Sequence, residues 1–241
     1  MKHYGLIGHS LSHSFSKKYF QEKFLLENID ADYQNFEIKD CDTVRKIIKE
    51  NDLNGLHVTI PFKERIIRYL DEVSTEALKI GAVNAIQIKD NKLFGFNTDC
   101  IGFEKSLLEN VSLKNKQALI FGSGGASKAV AYVLARNNVN YKFVSRNEIK
   151  DGFTYADLDE NIFNKYLLLI NTTPIGMFPN IEQELPIPYK FVKNEHFAFD
   201  LIYNPEKTRF LTHCEAEGAS IKNGMDMLIY QAEASYKIFT Y

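Results

Sequence analysis

The sequence predicts an α/β protein of two domains, and three observations carry this prediction. Short apolar runs alternate with longer amphipathic runs through the first part of the chain, which is typical of strand–helix–strand units and a mostly parallel sheet. The same alternation begins again after the polar stretch at residues 112–115. In this second part a glycine-rich turn at residues 122–125 joins an apolar run to an amphipathic one. We therefore expect two sheets, each covered by helices.

The first domain is predicted to contain three strand–helix pairs followed by a hairpin. The pairs are residues 4–7 with 16–26, 36–38 with 43–49, and 56–60 with 63–70. Residues 85–88 and 93–96 then flank the polar break at residues 89–92, which is suited to a hairpin. Because a hairpin joins antiparallel strands, we expect one antiparallel edge in this sheet. A helix at residues 99–109 leads away from it.

The second domain is predicted to hold four strands and a helix after the first of them, and a final helix of the chain follows it. The strands are residues 118–121, 141–144, 167–170 and 197–199, and the first helix is residues 126–137. Residues 225–239 are apolar at helical spacing and follow Asn223-Gly224, a break suited to a helix start. Such a final helix could return to pack on the first domain.

Composition and charge exclude several classes of protein. With 241 residues, 45% hydrophobic and 25% charged, the chain has the make-up of an ordinary globular protein. Its formal net charge is −2 and it has no basic stretch, so no nucleic-acid partner is expected. It has no signal-peptide pattern and no run of about 18 apolar residues, so we expect no membrane partner and a cytoplasmic location. Cys41, Cys100 and Cys214 lie far apart without a CxxC pattern, which predicts free thiols and no metal site.

The glycine-rich turn is the clearest candidate for a cofactor site. Glycines between a strand and a helix let the backbone approach a pyrophosphate, and the helix amides favour its negative charge. The spacing departs from the GxGxxG pattern, because Ser127 takes the place of the third glycine. A plain tight turn is the alternative. The residues assigned to the cofactor here are Gly122, Ser123, Gly124, Gly125, Ala126 and Ser127.

The end of the next strand carries a cation where NAD-dependent enzymes usually have a carboxylate. Ser145-Arg146-Asn147 stands there, with Lys150 nearby. An acidic residue at this position would bind the ribose 2′-hydroxyl, whereas an arginine can pair with a 2′-phosphate and stack on adenine. We therefore predict NADP as the cofactor. The alternative is a solvated surface arginine.

Polar residues at the ends of predicted elements in the first half of the chain are candidates for binding and catalysis. Ser14 and Ser16 precede or open the first helix, where their hydroxyls either cap it or hold a carboxylate. A proline two residues before Lys63 fits a helix start and would place this lysine on the first turn. There it could transfer a proton or be an ordinary surface lysine. Asn84 and Asp99 also lie at element ends, and Asp99 could instead be a helix N-cap.

Together and in order, the motifs resemble the shikimate dehydrogenase family along nearly the whole chain. They are Ser14-Phe15-Ser16, His57-Val58-Thr59-Ile60-Pro61-Phe62-Lys63, Gly81-Ala82-Val83-Asn84, Asn97-Thr98-Asp99, the loop at residues 122–127, Asn171-Thr172-Thr173-Pro174-Ile175-Gly176-Met177, Asp200-Leu201-Ile202-Tyr203-Asn204-Pro205 with Thr208, and Gly224-Met225-Asp226-Met227-Leu228 with Gln231. An ordered set of motifs is far more specific than any one of them.

The resemblance implies a division of labour between the domains. Residues 1–101 with 222–241 would form the substrate-binding domain, and residues 102–221 a Rossmann-like domain that binds NADP. Lys63 and Asp99 would be the catalytic pair, with hydride passing from NADPH to the ring ketone of 3-dehydroshikimate, a step of chorismate and aromatic amino acid biosynthesis. The implied substrate contacts are Ser14, Ser16, His57, Thr59, Asn84, Tyr203 and Gln231, and the further implied cofactor contacts are Thr172, Leu201 and Gly224.

Two departures from the family pattern bear on these expectations. His57 stands where the family usually has asparagine, so we expect a difference in substrate affinity or in its pH dependence. The chain ends at Tyr241, without the further segment that many relatives carry, which bears on domain closure.

Two alternative functions stay open. A quinate/shikimate dehydrogenase that uses NAD shares the fold, although Arg146 argues against NAD. A non-catalytic, NADP-binding regulator is the other alternative, and the presence of Lys63 and Asp99 argues against it. A monomer and a homodimer are equally compatible with the sequence.

Overall fold

Two six-stranded sheets form the framework of the protein, in a computed structural model that describes residues 1–11 and 14–241. Each sheet belongs to its own unit of the chain. The first unit contains Met1–Thr98 and Ala232–Tyr241, and the second contains Asp99–Gln231. The functional boundaries expected after residues 101 and 221 stay a prediction. No helix in the described part of the chain is long and apolar enough to cross a membrane.

Helices accompany both sheets. In chain order they are α1 Phe15–Leu26, α2 Val44–Glu50, α3 Thr75–Ile80, α4 Asp99–Leu108, α5 Gly125–Arg136, α6 Glu160–Lys165, α7 Arg209–Ala216 and α8 Met225–Thr240. The predicted final helix is therefore confirmed as α8, whose last residues belong to the first unit.

The sheet of the first unit is mixed. Its strands are β1 Lys2–Gly8, β2 Ala31–Glu37, β3 Leu53–Val58, β4 Glu72–Val73, β5 Ala85–Lys89 and β6 Lys92–Phe96, in the spatial order β2-β1-β3-β5-β6-β4. β1 pairs in parallel with β2 and β3, whereas β5 pairs antiparallel with β3 and β6. The predicted hairpin is therefore confirmed as β5 and β6.

The two faces of the first sheet are packed differently. Ile7 of β1 belongs to an aliphatic cluster with Leu56. Tyr4, three residues earlier and on the opposite face, belongs to an aromatic cluster. In that cluster Phe20 of α1 stacks on Tyr33 with ring centroids 4.8 Å apart. Burying such side chains stabilises the fold by roughly 1.5–3 kcal/mol each.

The sheet of the second unit is wholly parallel. Its strands are β7 Ala118–Phe121, β8 Tyr141–Ser145, β9 Phe153–Thr154, β10 Leu168–Asn171, β11 Phe197–Asp200 and β12 Ser220–Lys222, in the order β12-β11-β10-β7-β8-β9. Every residue of β7, β10 and β11 is buried, as expected for central strands covered on both faces. The short edge strands β9 and β12 were not predicted, because two or three residues give no readable alternation.

Two predicted elements were wrong in their bounds or type. The helix expected at residues 63–70 is a 3₁₀ helix at Arg65–Tyr69, and Lys63 lies in the turn before it. The Lys63 carbonyl accepts a hydrogen bond from the Val83 amide, 2.8 Å away, which ties this turn to the segment before β5. The strand expected at residues 36–38 begins already at Ala31, because polar residues interrupt its apolar pattern.

Candidate functional site

Polar side chains collect at one edge of the first sheet, which we call the polar edge and define by Thr59, Asn84, Asn97 and Thr98. Thr59 follows the carboxyl end of β3, and its amide donates to the Ile7 carbonyl at 3.0 Å. Asn84 precedes β5, while Asn97 and Thr98 follow β6. Because β5 runs antiparallel to both β3 and β6, its amino end lies beside their carboxyl ends. The edge thus unites residues that are distant in sequence.

Asn84 is held in one orientation by Thr98. Its side-chain nitrogen donates to Thr98 Oγ1 at 2.9 Å, and its Oδ1 accepts the Thr98 amide at 2.7 Å. Thr98 Oγ1 in turn lies 2.8 Å from Ser235 Oγ. Asn84 is only 3% exposed. A buried amide fixed in this way presents a defined donor and acceptor pattern without further rearrangement.

Lys63 reaches the polar edge through its backbone. Its carbonyl is bonded to the amide of Val83, the residue before Asn84, and its side chain is half-buried. The predicted proton donor and a predicted substrate contact therefore lie in neighbouring segments. The helix start that should have placed Lys63 is replaced by a turn that the bond to Val83 holds.

Ser14 and Ser16 lie at the start of α1. Ser14 is at the N-cap position but makes no capping hydrogen bond with its side chain. Its Oγ is buried and has no partner among the described residues. The Ser16 hydroxyl hydrogen-bonds to Tyr33. Since burying an unpaired hydroxyl costs about 1–3 kcal/mol, the capping alternative does not explain Ser14, and its expected contact with a carboxylate stays a prediction.

His57 lies in the aromatic cluster. It is 4% exposed, its Nδ1 is 2.9 Å from the Tyr33 hydroxyl, and its ring centroid is 5.0 Å from that of Phe239. Burial lowers the pKa of His57 to about 3, and the nearby charge of Lys63 acts in the same direction. The ring is therefore neutral at neutral pH. Its expected contact with substrate stays a prediction, since the ring packs against Tyr33, Phe20 and Phe239.

In the second unit, close helix packing brings Asp99 and Gln231 to one interface. Asp99 opens α4 and is 6% exposed. Gly102, on the same helix face, leaves no room for a side chain, since a Cβ there would overlap the Met227 carbonyl and lie 2.9 Å from the Gln231 nitrogen. Gln231 is 7% exposed, and its Nε2 donates to the Leu228 carbonyl at 2.9 Å. A carboxylate in the first turn is also favoured by the helix dipole.

The glycine loop presents a helix N-terminus whose amides are accessible. α5 begins at Gly125, and its N-cap Gly124 has no side chain to cap it. Gly122 has a φ of +107°, and a Cβ there would lie 2.7 Å from Thr172 Oγ1. A Cβ at Gly124 would meet no described atom within 4 Å, so the loop is open on that side. Ser127 Oγ donates to the Gly124 carbonyl at 2.6 Å and holds the turn. These features fit a pyrophosphate, which needs bare backbone amides and close approach.

Arg146 lies at the tip of a short turn after β8. Ser145 Oγ donates to the Asn147 carbonyl at 2.6 Å and accepts the Asn147 amide at 3.2 Å, which closes the turn around Arg146. Arg146 and Lys150 are exposed. Burial raises the pKa of Tyr155, and the charge of Arg146 partly opposes this, so the guanidinium lies near that ring. The turn offers a cation beside the strand that follows the glycine loop.

A buried network in the second unit was missed by the sequence reasoning, although its members belong to the quoted motifs. Asp200 ends β11 and is 0% exposed. Its Oδ2 accepts the Thr208 hydroxyl at 2.6 Å, and its Oδ1 accepts the Asn171 side-chain amide and the Ile202 amide, each at 3.0 Å. Burial raises the pKa of Asp200 to about 6, while these hydrogen bonds favour the charged form. The sequence signal that could have indicated this network is an aspartate at the end of a predicted strand, with Thr208 following in the same motif.

Three of the predicted cofactor contacts, Thr172, Leu201 and Gly224, lie around this network. Thr172 Oγ1 donates to the Phe121 carbonyl at 2.6 Å. The Leu201 amide donates to the Asn171 carbonyl at 3.0 Å. A Cβ at Gly224 would overlap the Leu201 carbonyl, so these two backbones are in direct contact. Tyr203, the predicted substrate contact in this unit, is half-buried two residues beyond Leu201.

Comparison with known proteins decides the family. A family model of the shikimate dehydrogenase substrate binding domain matches residues 6–86. A shikimate dehydrogenase (NADP(+)) of Methanococcus maripaludis is 39% identical over 98% of this chain and 91% of its own length. The chain belongs to the shikimate dehydrogenase family. Its predicted fold class and family are confirmed.

Solved structures of the shikimate dehydrogenase family have the same fold. A shikimate 5-dehydrogenase of Thermus thermophilus, in complex with NADP(H) and shikimate, superposes with a TM-score of 0.88 at 29% identity and covers 100% of this chain and 94% of its own. A quinate dehydrogenase of Corynebacterium glutamicum, in complex with NAD, gives a TM-score of 0.89 at 25% identity, with 99% and 93% covered. The fold therefore does not distinguish the two substrates.

Proposed function

We propose that this chain catalyses the reversible, NADPH-dependent reduction of 3-dehydroshikimate to shikimate. Its relationship to a shikimate dehydrogenase (NADP(+)) that is 39% identical over 98% of the chain supports this reaction. The observation that carries it is local: the Lys63 carbonyl accepts a hydrogen bond from the Val83 amide at 2.8 Å, so the segment that carries Lys63 lies beside the segment that carries Asn84. A proton donor next to fixed hydrogen-bonding groups suits the reduction of a polyhydroxylated ketone.

The first unit supplies most of the groups proposed to hold the substrate. Ser14 and Ser16 would bind its carboxylate, since the start of α1 favours negative charge and Ser14 Oγ has no described partner. Thr59 and Asn84 would bind ring hydroxyls at the polar edge. From the second unit, Tyr203, Asp99 and Gln231 are proposed as further contacts. His57 remains a candidate substrate contact. Its hydrogen bond to Tyr33 and its place in the aromatic cluster favour an indirect role, in which it supports the fold around the site.

Proton transfer is proposed for Lys63. When bound, NADPH would supply the hydride for the ketone carbon. The Lys63 ammonium would donate a proton to the carbonyl oxygen as negative charge develops there, and Asp99 is proposed as the second member of the catalytic pair. In the reverse direction the neutral amine of Lys63 removes the proton from the substrate hydroxyl.

The second unit supplies the groups proposed to hold NADP. Gly122–Ser127 amides would bind the pyrophosphate, and Arg146, with Ser145, Asn147 and Lys150 nearby, would bind the 2′-phosphate. Thr172, Leu201 and Gly224 would lie at the nicotinamide end. The open helix start and the exposed guanidinium support this assignment.

A quinate/shikimate dehydrogenase activity with NAD is the second candidate, which the quinate dehydrogenase neighbour with a TM-score of 0.89 supports. Steady-state rates with shikimate and with quinate, each with NADP+ and with NAD+, separate the candidates. We expect reduction of NADP+ with shikimate and little with the other three pairs. Turnover of quinate with NAD+ at a similar rate would replace the proposal by the second candidate. NADPH binding without any turnover would indicate a regulator.

A further inference from the structure

We propose that Asp200 is a positioning residue, which holds the two loops assigned to the nicotinamide end of the cofactor in the geometry that binding needs. This inference rests on the proposed function. The first loop follows β10 and carries Thr172, and the second follows β11 and carries Leu201. Asp200 makes no assigned contact with substrate or cofactor. Its role is to join the loops.

Strand register brings the two loops together. Asn171 and Asp200 are opposite each other in the last pair of the β10–β11 ladder. The Asn171 side-chain nitrogen donates to Asp200 Oδ1, which leaves Asn171 Oδ1 to accept the Thr173 amide at 2.9 Å and the Thr173 hydroxyl at 2.7 Å. One carboxylate oxygen thereby orients an amide that shapes the first loop.

The same carboxylate shapes the second loop. Asp200 Oδ1 accepts the Ile202 amide, and its Oδ2 accepts the Thr208 hydroxyl at the start of α7. The Ile202 carbonyl accepts the Gly224 amide at 3.0 Å, and the Gly224 backbone lies directly on the Leu201 carbonyl. The position of Leu201 is therefore set from one side by Asp200 and from the other by Gly224.

A carboxylate accepts from all three donors at this position. Asn171 and Ile202 donate to Oδ1 and Thr208 to Oδ2, so an amide side chain in the same place would set its nitrogen against the Thr208 hydroxyl, whose proton would then lose its acceptor. Burying a charged group is costly unless it is hydrogen-bonded. Two other titratable groups face it, the thiol of Cys214 and the hydroxyl of Tyr189, and both are kept neutral by their own burial. An apolar side chain at this position would pack the core without the cost of burying a charge. We therefore attribute the carboxylate to its hydrogen bonds with the two loops.

The test compares binding of whole NADP+ with binding of its adenosine half. In Asp200→Asn we expect the Kd for NADP+ to rise about 10- to 100-fold, as for a buried donor left without its acceptor. The Kd for 2′,5′-ADP, which lacks the nicotinamide, should stay within about twofold. A general loss of structure would weaken both ligands equally, and that result would overturn the proposal. Unchanged NADP+ binding would also overturn it.

Two further sets of variants keep the test decisive if Asp200→Asn folds poorly. Thr208→Ser retains the hydroxyl that donates to Asp200 and should bind NADP+ like the wild type, whereas Thr208→Val removes it and should lose NADP+ affinity but retain 2′,5′-ADP affinity. Asp159→Ala is the stability control, because Asp159 caps α6 by accepting the Ile162 amide at 2.9 Å and belongs to neither loop. It should leave both Kd values unchanged.

Failure of the inference differs from failure of the proposed function. Wild-type protein that binds NADP+ but does not oxidise shikimate removes the proposed reaction, while the ratio of the two Kd values still tests Asp200. Wild-type protein without affinity for NADP+ overturns both. Equal behaviour of Thr208→Ser and Thr208→Val overturns the positioning role alone.

Discussion

The two units offer ligands different kinds of groups. At the polar edge of the first unit the groups are side chains, such as Asn84 held by Thr98 and the half-buried Lys63. In the second unit the glycine loop offers backbone amides, and the exposed Arg146 and Lys150 add positive charge after the next strand. Side chains can donate and accept protons, whereas amides bind a phosphate without reacting. Substitution of Lys63 should therefore change turnover, and substitutions at the glycine loop or at Arg146 should change cofactor affinity.

The largest effect should come from Lys63. We expect Lys63→Ala to lower kcat about 10²- to 10⁴-fold, because it removes both the proton donor and the charge beside the developing alkoxide. The Kd for NADPH, measured by fluorescence titration, should not change. Lys79→Ala removes an exposed lysine of the same unit, in the last turn of α3, and should leave both values unchanged. A loss of NADPH affinity in Lys63→Ala as large as the loss in kcat would contradict the assignment of Lys63 to proton transfer.

The next effect is on stability and lies in the second unit. The pKa of Asp200 is about 6 in the folded protein, compared with 3.8 for an aspartate in the unfolded chain, so folding favours the protonated form. The resulting stability is complete below about pH 4 and is lost as pH rises to about 6, by up to about 3 kcal/mol. The asparagine of Asp200→Asn does not titrate, so the variant should not show this loss. Between pH 4 and pH 6, the unfolding free energy of the wild type should therefore fall by up to about 3 kcal/mol relative to that of the variant. Urea unfolding of both proteins from pH 4 to pH 7 checks this, and parallel pH profiles would contradict it.

His57 should show the opposite dependence in the first unit. Its pKa is lowered by burial from 6.5 to about 3, so the unfolded chain takes up a proton that the folded ring does not. Stability is therefore present above pH 6.5 and falls with pH below that value, by about 2 kcal/mol at pH 5. His57→Asn should lack this acid loss, and the exposed His9 offers a control in His9→Asn. Urea unfolding measures this dependence. An equal fall of the unfolding free energy below pH 6.5 in the wild type and in His57→Asn would show that another group causes it.

The smallest effect should be at Arg146. We expect Arg146→Ala to raise the Kd for NADPH about tenfold and the Kd for NADH much less, since NADH lacks the 2′-phosphate that the guanidinium is proposed to bind. Arg146→Lys keeps the positive charge but lacks the planar guanidinium, so its Kd for NADPH should lie between those of the wild type and Arg146→Ala. Equal losses for NADPH and NADH would show that Arg146 supports the fold of the turn and does not select the cofactor.

Local patterns were sufficient for much of the fold and part of the site. The hairpin of β5 and β6, the strand before the glycine loop and the helix after it follow from apolar spacing and turn residues within a few positions. The placement of Lys63 could not be predicted in this way. Proline before it indicated a helix, but the turn is held by the amide of Val83, which only the folded sheet brings near.

The Asp200 network shows the same limit more sharply. Asn171, Asp200 and Thr208 were recognised as parts of motifs, yet nothing in the sequence near each residue indicates a shared role. Their contact depends on β10 and β11 being neighbours in register, with Asn171 opposite Asp200. His57 is a related case, since its motif indicated the substrate and its burial depends on α1 and on Phe239 of α8.

The most direct test of the account follows the hydride itself. Purified protein is incubated with 3-dehydroshikimate and NADPH that carries deuterium at both hydrogen positions of nicotinamide C4, and the product is analysed by mass spectrometry. We predict shikimate that carries one deuterium on carbon, formed by wild-type protein and at a strongly reduced rate by Lys63→Ala. Shikimate without deuterium, or no shikimate at all from wild-type protein that binds NADPH, would contradict the proposed reaction.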